Sequence, residues 1–436
     1  MKYARKITSV LVAFFLFGFG LITEIPMFSI MALSEQMDEE YFDLELAEGL
    51  EFSEEIYTEN VKLNRPQNLV DESASAFEPL QSSITVGNFN RNLSGIRSSQ
   101  NKVILNLSTS ADLPSIGFLD LSANVEIGQK NNKLNNELMR FTIENSSENI
   151  QWKFGKYRKS WGDVDGALVL DLINPTGSIL NQELPNMEQP SRWLADLSFF
   201  LGANTSELFV SLNRDTVHTD NLNSTSSNSE FGLKSSFDME KGQVSLYLAS
   251  LFPRAGVIDI TTGLSHANRY QLVGFSAHKD IRHYLLKFDL AKKFGLNRSS
   301  LSGLTKGVRI DGAFGIEHAP SPYNKWLFKI ESSIWQNSVE HHYIPSSSGM
   351  LREEPKSSSY IFSYSNNAAN DKLSSSLSFG GDGDGKSVYL GGEGTYSISD
   401  ATKIKANFLI FKANPDHPNY IYDNSSWINF GLTRYF

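Results

Sequence analysis

The chain has 436 residues, no cysteine and a formal net charge of −10; 40% of it is hydrophobic, 12% aromatic and 20% charged. Such apolar content excludes global disorder. The lack of cysteine excludes disulfides and thiolate-bound zinc or iron–sulfur centres, and the acidic total argues against a nucleic-acid partner.

Residues 1–34 read as a secretory signal peptide. Lys2, Arg5 and Lys6 give a basic start, residues 9–22 are almost purely apolar, and Ala32-Leu33-Ser34 offers a small-x-small cleavage site. The alternative is a single transmembrane anchor, for which the apolar run is short. Residues 35–77 form an acidic leader, expected to be mostly irregular and periplasmic. Eleven Asp or Glu and no Lys or Arg lie between 35 and 60, so that stretch carries −11. The signal carries +2, which leaves about −1 for everything after residue 60. A solvated leader is the plainer reading of this charge run, and a docking segment the alternative.

Residues 78–436 are expected to form the barrel domain, and from about residue 82 onward the dominant period is two. Leu246 and Leu248 alternate with Ser245 and Tyr247; Leu119, Leu121, Ala123, Val125 and Ile127 alternate with Asp120, Ser122, Asn124 and Glu126. Successive strand side chains face opposite sides, so each segment has one oily and one polar face. Eighteen strands are expected, with sixteen as the alternative. They fall near 82–90, 102–110, 117–127, 136–144, 149–157, 193–201, 205–213, 229–237, 242–251, 267–278, 282–294, 308–318, 323–336, 358–367, 371–380, 386–397, 401–412 and 424–436.

Many of these segments have the length that crosses a bilayer at a tilt. Their connections alternate between short ones, such as Ser399-Asp400, and long ones, such as 158–192, 214–228, 252–266, 295–307 and 337–357. Short periplasmic turns and long external loops are the pattern of an outer-membrane barrel, whereas a soluble sandwich has no reason to alternate so regularly. The expected fold is therefore all-β: a closed antiparallel transmembrane barrel in lipid, without unpaired edges.

If the apolar faces meet lipid, the alternate residues face the lumen. The expected pore-lining set includes Arg140, Lys153, Lys287, Arg309, Lys325, Lys329, Glu331, Lys403 and Lys405. All inward positions together give ten basic candidates against ten acidic ones, with Lys102, Lys234, Asp120, Glu126, Glu144, Glu207, Glu230, Asp289, Asp311, Glu317 and Glu393 among them. Such a lumen is wet and suits a channel without strong charge selectivity, with most charges expected to pair across it.

Chemical motifs are few. The stretch Gly380-Gly381-Asp382-Gly383-Asp384-Gly385-Lys386-Ser387 spells a phosphate loop, but Val388-Tyr389-Leu390 continues as strand where phosphate binding requires a helix. A hairpin loop is expected instead. Two carboxylates are few for a calcium site. The eight histidines form no HExxH pattern, and no GxSxG elbow occurs. No catalytic residue, metal or cofactor is expected.

The longest connection carries the most distinctive residues. Phe154-Gly155-Lys156-Tyr157-Arg158-Lys159-Ser160-Trp161-Gly162-Asp163-Val164-Asp165-Gly166 is followed by Asp171-Leu172-Ile173-Asn174-Pro175. This resembles the strand-and-loop signature of a largely uncharacterised family of Gram-negative outer-membrane barrels similar to the alginate-export porins. In that signature Gly155, Trp161, Gly162, Asp163, Asp171, Asn174 and Pro175 match, while Lys156 and Tyr157 stand where Arg and Gln are usual. The resemblance implies a barrel of about eighteen strands whose loop after the fifth strand shapes the pore, and passage or export of solutes, polymers included. Arg158, Lys159, Trp161, Asp163, Asp165, Asp171 and Asn174 are the constriction residues it suggests. Folding of this loop into the lumen is expected, with an external cap as the alternative.

The C-terminal strand, with Ile428, Phe430, Leu432 and Phe436 on one face, resembles the signal read by the barrel-assembly machinery. Partners expected are outer-membrane lipid, that machinery, and a periplasmic or inner-membrane exporter. A surface adhesin or structural barrel with a plugged lumen is the competing reading, and a barrel enzyme a further one.

Overall fold

The computed structural model describes residues 78–93, 96–113, 116–128, 134–174, 191–211, 229–253, 256–336, 341–346, 349–368, 372–418 and 420–436. The expected signal peptide and the acidic leader lie outside the described residues.

The chain forms β1 (Gln81–Leu93), β2 (Ile96–Leu113), β3 (Gly117–Gly128), β4 (Leu134–Ser146), β5 (Ile150–Tyr157), β6 (Arg192–Leu201), β7 (Asn204–Ser211), β8 (Glu230–Met239) and β9 (Gly242–Leu251). A small hairpin, β10 (Val257–Ile258) and β11 (Ser265–His266), precedes β12 (Tyr270–Ile281), β13 (Tyr284–Ser300), β14 (Gly303–Ser321) and β15 (Asn324–Gln336). A second hairpin, β16 (Tyr343–Ser346) and β17 (Gly349–Arg352), precedes β18 (Lys356–Ala368), β19 (Leu373–Asp382), β20 (Ser387–Ser399), β21 (Thr402–Ala413) and β22 (Ser426–Tyr435).

Leaving out the two small hairpins, eighteen strands form one sheet. Each pairs antiparallel with the next, β9 with β12 and β15 with β18 across the hairpins. The sheet closes where β22 lies against β1, from Ser83 opposite Tyr435 to Asn92 opposite Ser426. Inside that seam the Thr85 and Thr433 hydroxyls meet at 2.8 Å. Closure leaves no unsatisfied strand edge in lipid.

The two-residue alternation sorts the side chains. On β9, Leu246 and Leu248 are 50% and 53% exposed on the outer face, while Tyr247 and Ala249 are 1% and 6% exposed within. Phe231, Leu233, Val273, Phe288, Leu290, Phe328, Phe362, Phe379, Ile428 and Phe430 extend the outer apolar face around the barrel. An exposed apolar surface of this extent belongs in hydrocarbon.

At one end, two-residue turns join β6 to β7, β8 to β9, β12 to β13, β14 to β15 and β20 to β21. Lys241 (φ 61°) and Arg282 (φ 60°) take the left-handed backbone in two of them, which matches the twist of the flanking strands.

The opposite end holds the long connections, with two departures from expectation: β1 and β2 run on through most of 91–101, with Leu93 opposite Ile96, and a second lies farther along the chain. Residues 295–307 are not a loop: β13 and β14 run on for 17 and 19 residues and meet at Ser300 opposite Gly303. The extension is polar, yet it is covered. Arg298 pairs with Glu353 at 2.8 Å, and Ser300 bridges to His342, so residues beside the second small hairpin bury it. The phosphate-loop spelling is a hairpin, with Gly381 opposite Val388.

Candidate functional site

Residues 158–174 leave β5 and fold into the barrel. The neck of the segment is clasped by its own ends. Lys159 N–H donates to the Asn174 side-chain oxygen at 2.8 Å, and the Asn174 amide donates to the Lys159 carbonyl at 2.9 Å and to Asp171 at 3.0 Å. The Lys159 ammonium reaches Asp196 on β6 at 3.0 Å and Glu207 on β7 at 2.8 Å. Burial opposes its charge, but those two carboxylates outweigh it and raise its pKa above the ordinary lysine value. The other end is tied by Arg192, which donates to the Ile173 carbonyl at 3.0 Å and pairs with Glu230 at 1% and 0% side-chain exposure.

Between its ends the segment descends along the wall. Gly162 (φ +88°) turns so that its N–H faces the Tyr247 hydroxyl at 3.3 Å. The Asp163 and Val164 N–H groups both donate to Asp289, at 2.8 and 3.2 Å, and the Asp163 carboxylate lies 3.3 Å from His278. Asp165 reaches Lys287 at 2.9 Å and Lys325 at 3.8 Å. Burial opposes its charge too, yet hydrogen bonding with Glu317 and Lys287 and the charge of both lysines lower its pKa. Lys287 is the fourth residue of β13, about 10 Å along the strand from its start. The tip of the segment therefore reaches the half of the barrel nearest the short turns. The chain then climbs back: Lys329 donates to the Gly166 carbonyl at 2.8 Å, and the Leu168 N–H donates to Glu331 at 3.2 Å.

Apolar side chains seat the segment as firmly as the polar ones. The Trp161 ring packs edge-on to Phe209 at 5.0 Å and tilted against Tyr247 at 5.1 Å. Val164, Val169, Leu170 and Ile173 bury themselves with Leu194, Leu251, Leu272 and Ala291. The wall is hollowed to receive them. A Cβ on Gly232 would stand 2.3 Å from the Trp161 ring, and one on Gly274 would stand 2.5 Å from Leu170. The members of this cluster lie on β5–β7, β9 and β12–β14 and on the segment itself, not on β18–β22 or β1–β4. Among the described residues the segment takes cross-section from one side of the lumen; the remainder of the expected 158–192 loop, residues 175–190, lies outside the described residues.

The charges that line the wall pair along it rather than across it, which corrects the expectation of trans-lumen bridges. Arg140 meets Asp120 at 3.0 Å, Lys153 meets Glu144 at 2.8 Å and Lys102 meets Glu126 at 2.8 Å, each from the next strand. Lys287 and Lys325 share Glu317, Arg309 meets Asp311 at 2.7 Å, and Lys329 meets Glu331 at 2.8 Å. The strand spacing explains this: neighbours about 5 Å apart reach one another easily, whereas the opposite wall is far beyond a side chain. Lys403 lies 5.2 Å from the Tyr435 ring. Lys405 is 4% exposed. Neither of these two has a carboxylate partner among the described residues.

Of the suggested constriction residues, six are drawn into this packing, and Arg158 is exposed at the mouth. Sequence reasoning missed four of the groups that hold the segment. Asp289 and Glu230 read only as inward acids, Arg192 fell inside the long connection, and Lys293, which pairs with Asp311 at 1% exposure, was not among the inward positions named.

No protein-family model and no curated protein matches this chain. Solved structures do. Pseudomonas aeruginosa OccK2 (OpdF), solved in complex with glucuronate, aligns with a TM-score of 0.50 at 11% identity, covering 82% of this chain and 98% of that one. Pseudomonas aeruginosa OprD aligns with a TM-score of 0.50 at 10% identity over 84% of this chain and 97% of its own. Acinetobacter baumannii OccAB1 gives 0.50 at 9% over 82% and 96%. The fold is that of an outer-membrane porin barrel. At identities this low the likeness speaks for the fold alone.

Proposed function

We propose that the protein is a conduit in the outer membrane of a Gram-negative bacterium, through which small polar solutes pass along a lumen narrowed by residues 158–174. The observation that carries this reading is that, among the described residues, the segment packs on one wall and no member of its apolar cluster lies on β18–β22 or β1–β4. A plug would seal both sides, while a constriction loop narrows the path and sets what passes. The solved neighbours are porins rather than enzymes, which supports a passage role over catalysis.

Planar-bilayer recording tests the reading. The purified protein should give steady single-channel conductance, and deleting residues 161–173 should raise it. Silence from both proteins would sink the conduit and favour a surface adhesin or structural barrel.

Export is the second form of the same reading, favoured by the likeness of the Trp161-Gly162-Asp163 signature to alginate-export relatives. Lys403 and Lys405 would then offer two positive charges to an anionic polymer handed on by a periplasmic or inner-membrane exporter. Lipid around the apolar face and the assembly machinery at β22 complete the set of proposed partners.

A further inference from the structure

The wall that continues from β15 beyond the segment's last anchors has a chemistry of its own. On β18 and β19, Ser363, Ser365 and Asn367 stand opposite Ser378, Ser376 and Ser374. They alternate with Phe362 and Phe379, which are 42% and 44% exposed on the outer face, so these six side chains point into the lumen. None of the six is buried. The five serines have no side-chain hydrogen-bond partner among the described residues. The charges beside them are spent or sparse: Lys325, opposite Ser365, is held by Glu317 at 2.6 Å, and Glu393, opposite Ser376, is a single carboxylate.

A cavity of about 540 Å³ lies at the long-loop end of the same wall. Ser333 and Ser357, whose hydroxyls meet at 2.7 Å, belong to its lining and lead down to the hydroxyl-bearing face. Arg309, Arg352 and Lys356 line it from β14, β17 and β18, and Asp382, Asp384 and Asp416 from β19 and the turns beyond β19 and β21. Groups of both signs in one cavity cancel their long-range field, while each still donates or accepts hydrogen bonds. A sugar hydroxyl does both, so it is satisfied on either side. A lone ion gains at one side and loses at the other.

We infer that the conduit is selective for uncharged polyhydroxylated solutes, such as monosaccharides and sugar alcohols, which gather in the outer cavity and move along the Ser363–Ser378 and Ser365–Ser376 pairs. The inference rests on the conduit reading. The serine hydroxyls replace water around the solute one contact at a time, and the two strands that carry them have no charged side chain between Ser357 and Ala368 or between Leu373 and Gly381.

Swelling of proteoliposomes in isosmotic mannitol, sodium gluconate and glutamine tests it. The three probes are close in size and are respectively a neutral polyol, an anionic polyol and a zwitterion. Mannitol should enter fastest. The double variant Ser365→Val, Ser376→Val should slow mannitol by roughly fivefold, the worth of about one net hydrogen bond, without lowering potassium chloride conductance, which also reports that the barrel has folded. Gluconate or glutamine entering as fast as mannitol would overturn the selectivity and leave the conduit standing. An unchanged mannitol rate in a variant that conducts would also overturn it. No swelling and no conductance with the natural protein would remove the conduit itself, and this inference with it.

Discussion

At the scale of single residues, the seat of the inner segment depends on space as much as on charge. Gly232 leaves room for the Trp161 ring, so Gly232→Val should cost about 1–3 kcal/mol through overpacking. Denaturant unfolding in detergent should show a lower midpoint, and bilayer recording a larger, noisier conductance as the indole is displaced. Equal midpoints would contradict the packing described. The charged anchors make a pH prediction. Lys159 has a raised pKa, so its contribution is complete below the ordinary lysine value and fades only as pH climbs through the raised one. Asp165 has a lowered pKa, so its contribution is complete above the ordinary aspartate value and fades as pH falls through the lowered one. The Asp165 contribution should therefore be lost to acid only below about pH 4, so the acid-induced rise in conductance should be smaller below about pH 4 in Asp165→Asn than in the natural protein; an unchanged rise there would implicate other groups.

At the scale of elements, the strands were legible and the packing of the long connection was not. Period-two alternation placed eighteen strands because lipid on one side and a polar lumen on the other enforce the pattern at almost every step. It misjudged 295–307, where both faces are polar and the strand is held by Arg298 with Glu353 and by the His342 bridge rather than by bilayer contact. The Trp161-Gly162-Asp163 signature flagged the inner segment. Its anchors come from strands as far along as β15, and no local pattern announces which inward acid will accept two backbone N–H groups, as Asp289 does. Gly232 and Gly274 carried a signal that went unread: a glycine at an inward strand position marks a close approach.

At the scale of the whole molecule, the net charge of −10 says little about the pore. The −11 of residues 35–60 more than accounts for it, and the lumen charges neutralise one another strand by strand. Lys403 and Lys405 stand apart on β21, so they should set what ion preference exists. The natural protein should show a small anion preference in a salt gradient, and Lys403→Glu with Lys405→Glu should move the reversal potential toward cations. No movement would show that these lysines lie off the ion path.

The pinned segment also bears on how the barrel is put together. Apart from Tyr157 of the preceding β5, the contacts described above are with β6–β9 and β12–β15, which follow the segment in the chain. It can thus settle onto an open, curved sheet before β22 meets β1, with no threading through a finished ring. The last strands would close around a passage whose narrow point is already set.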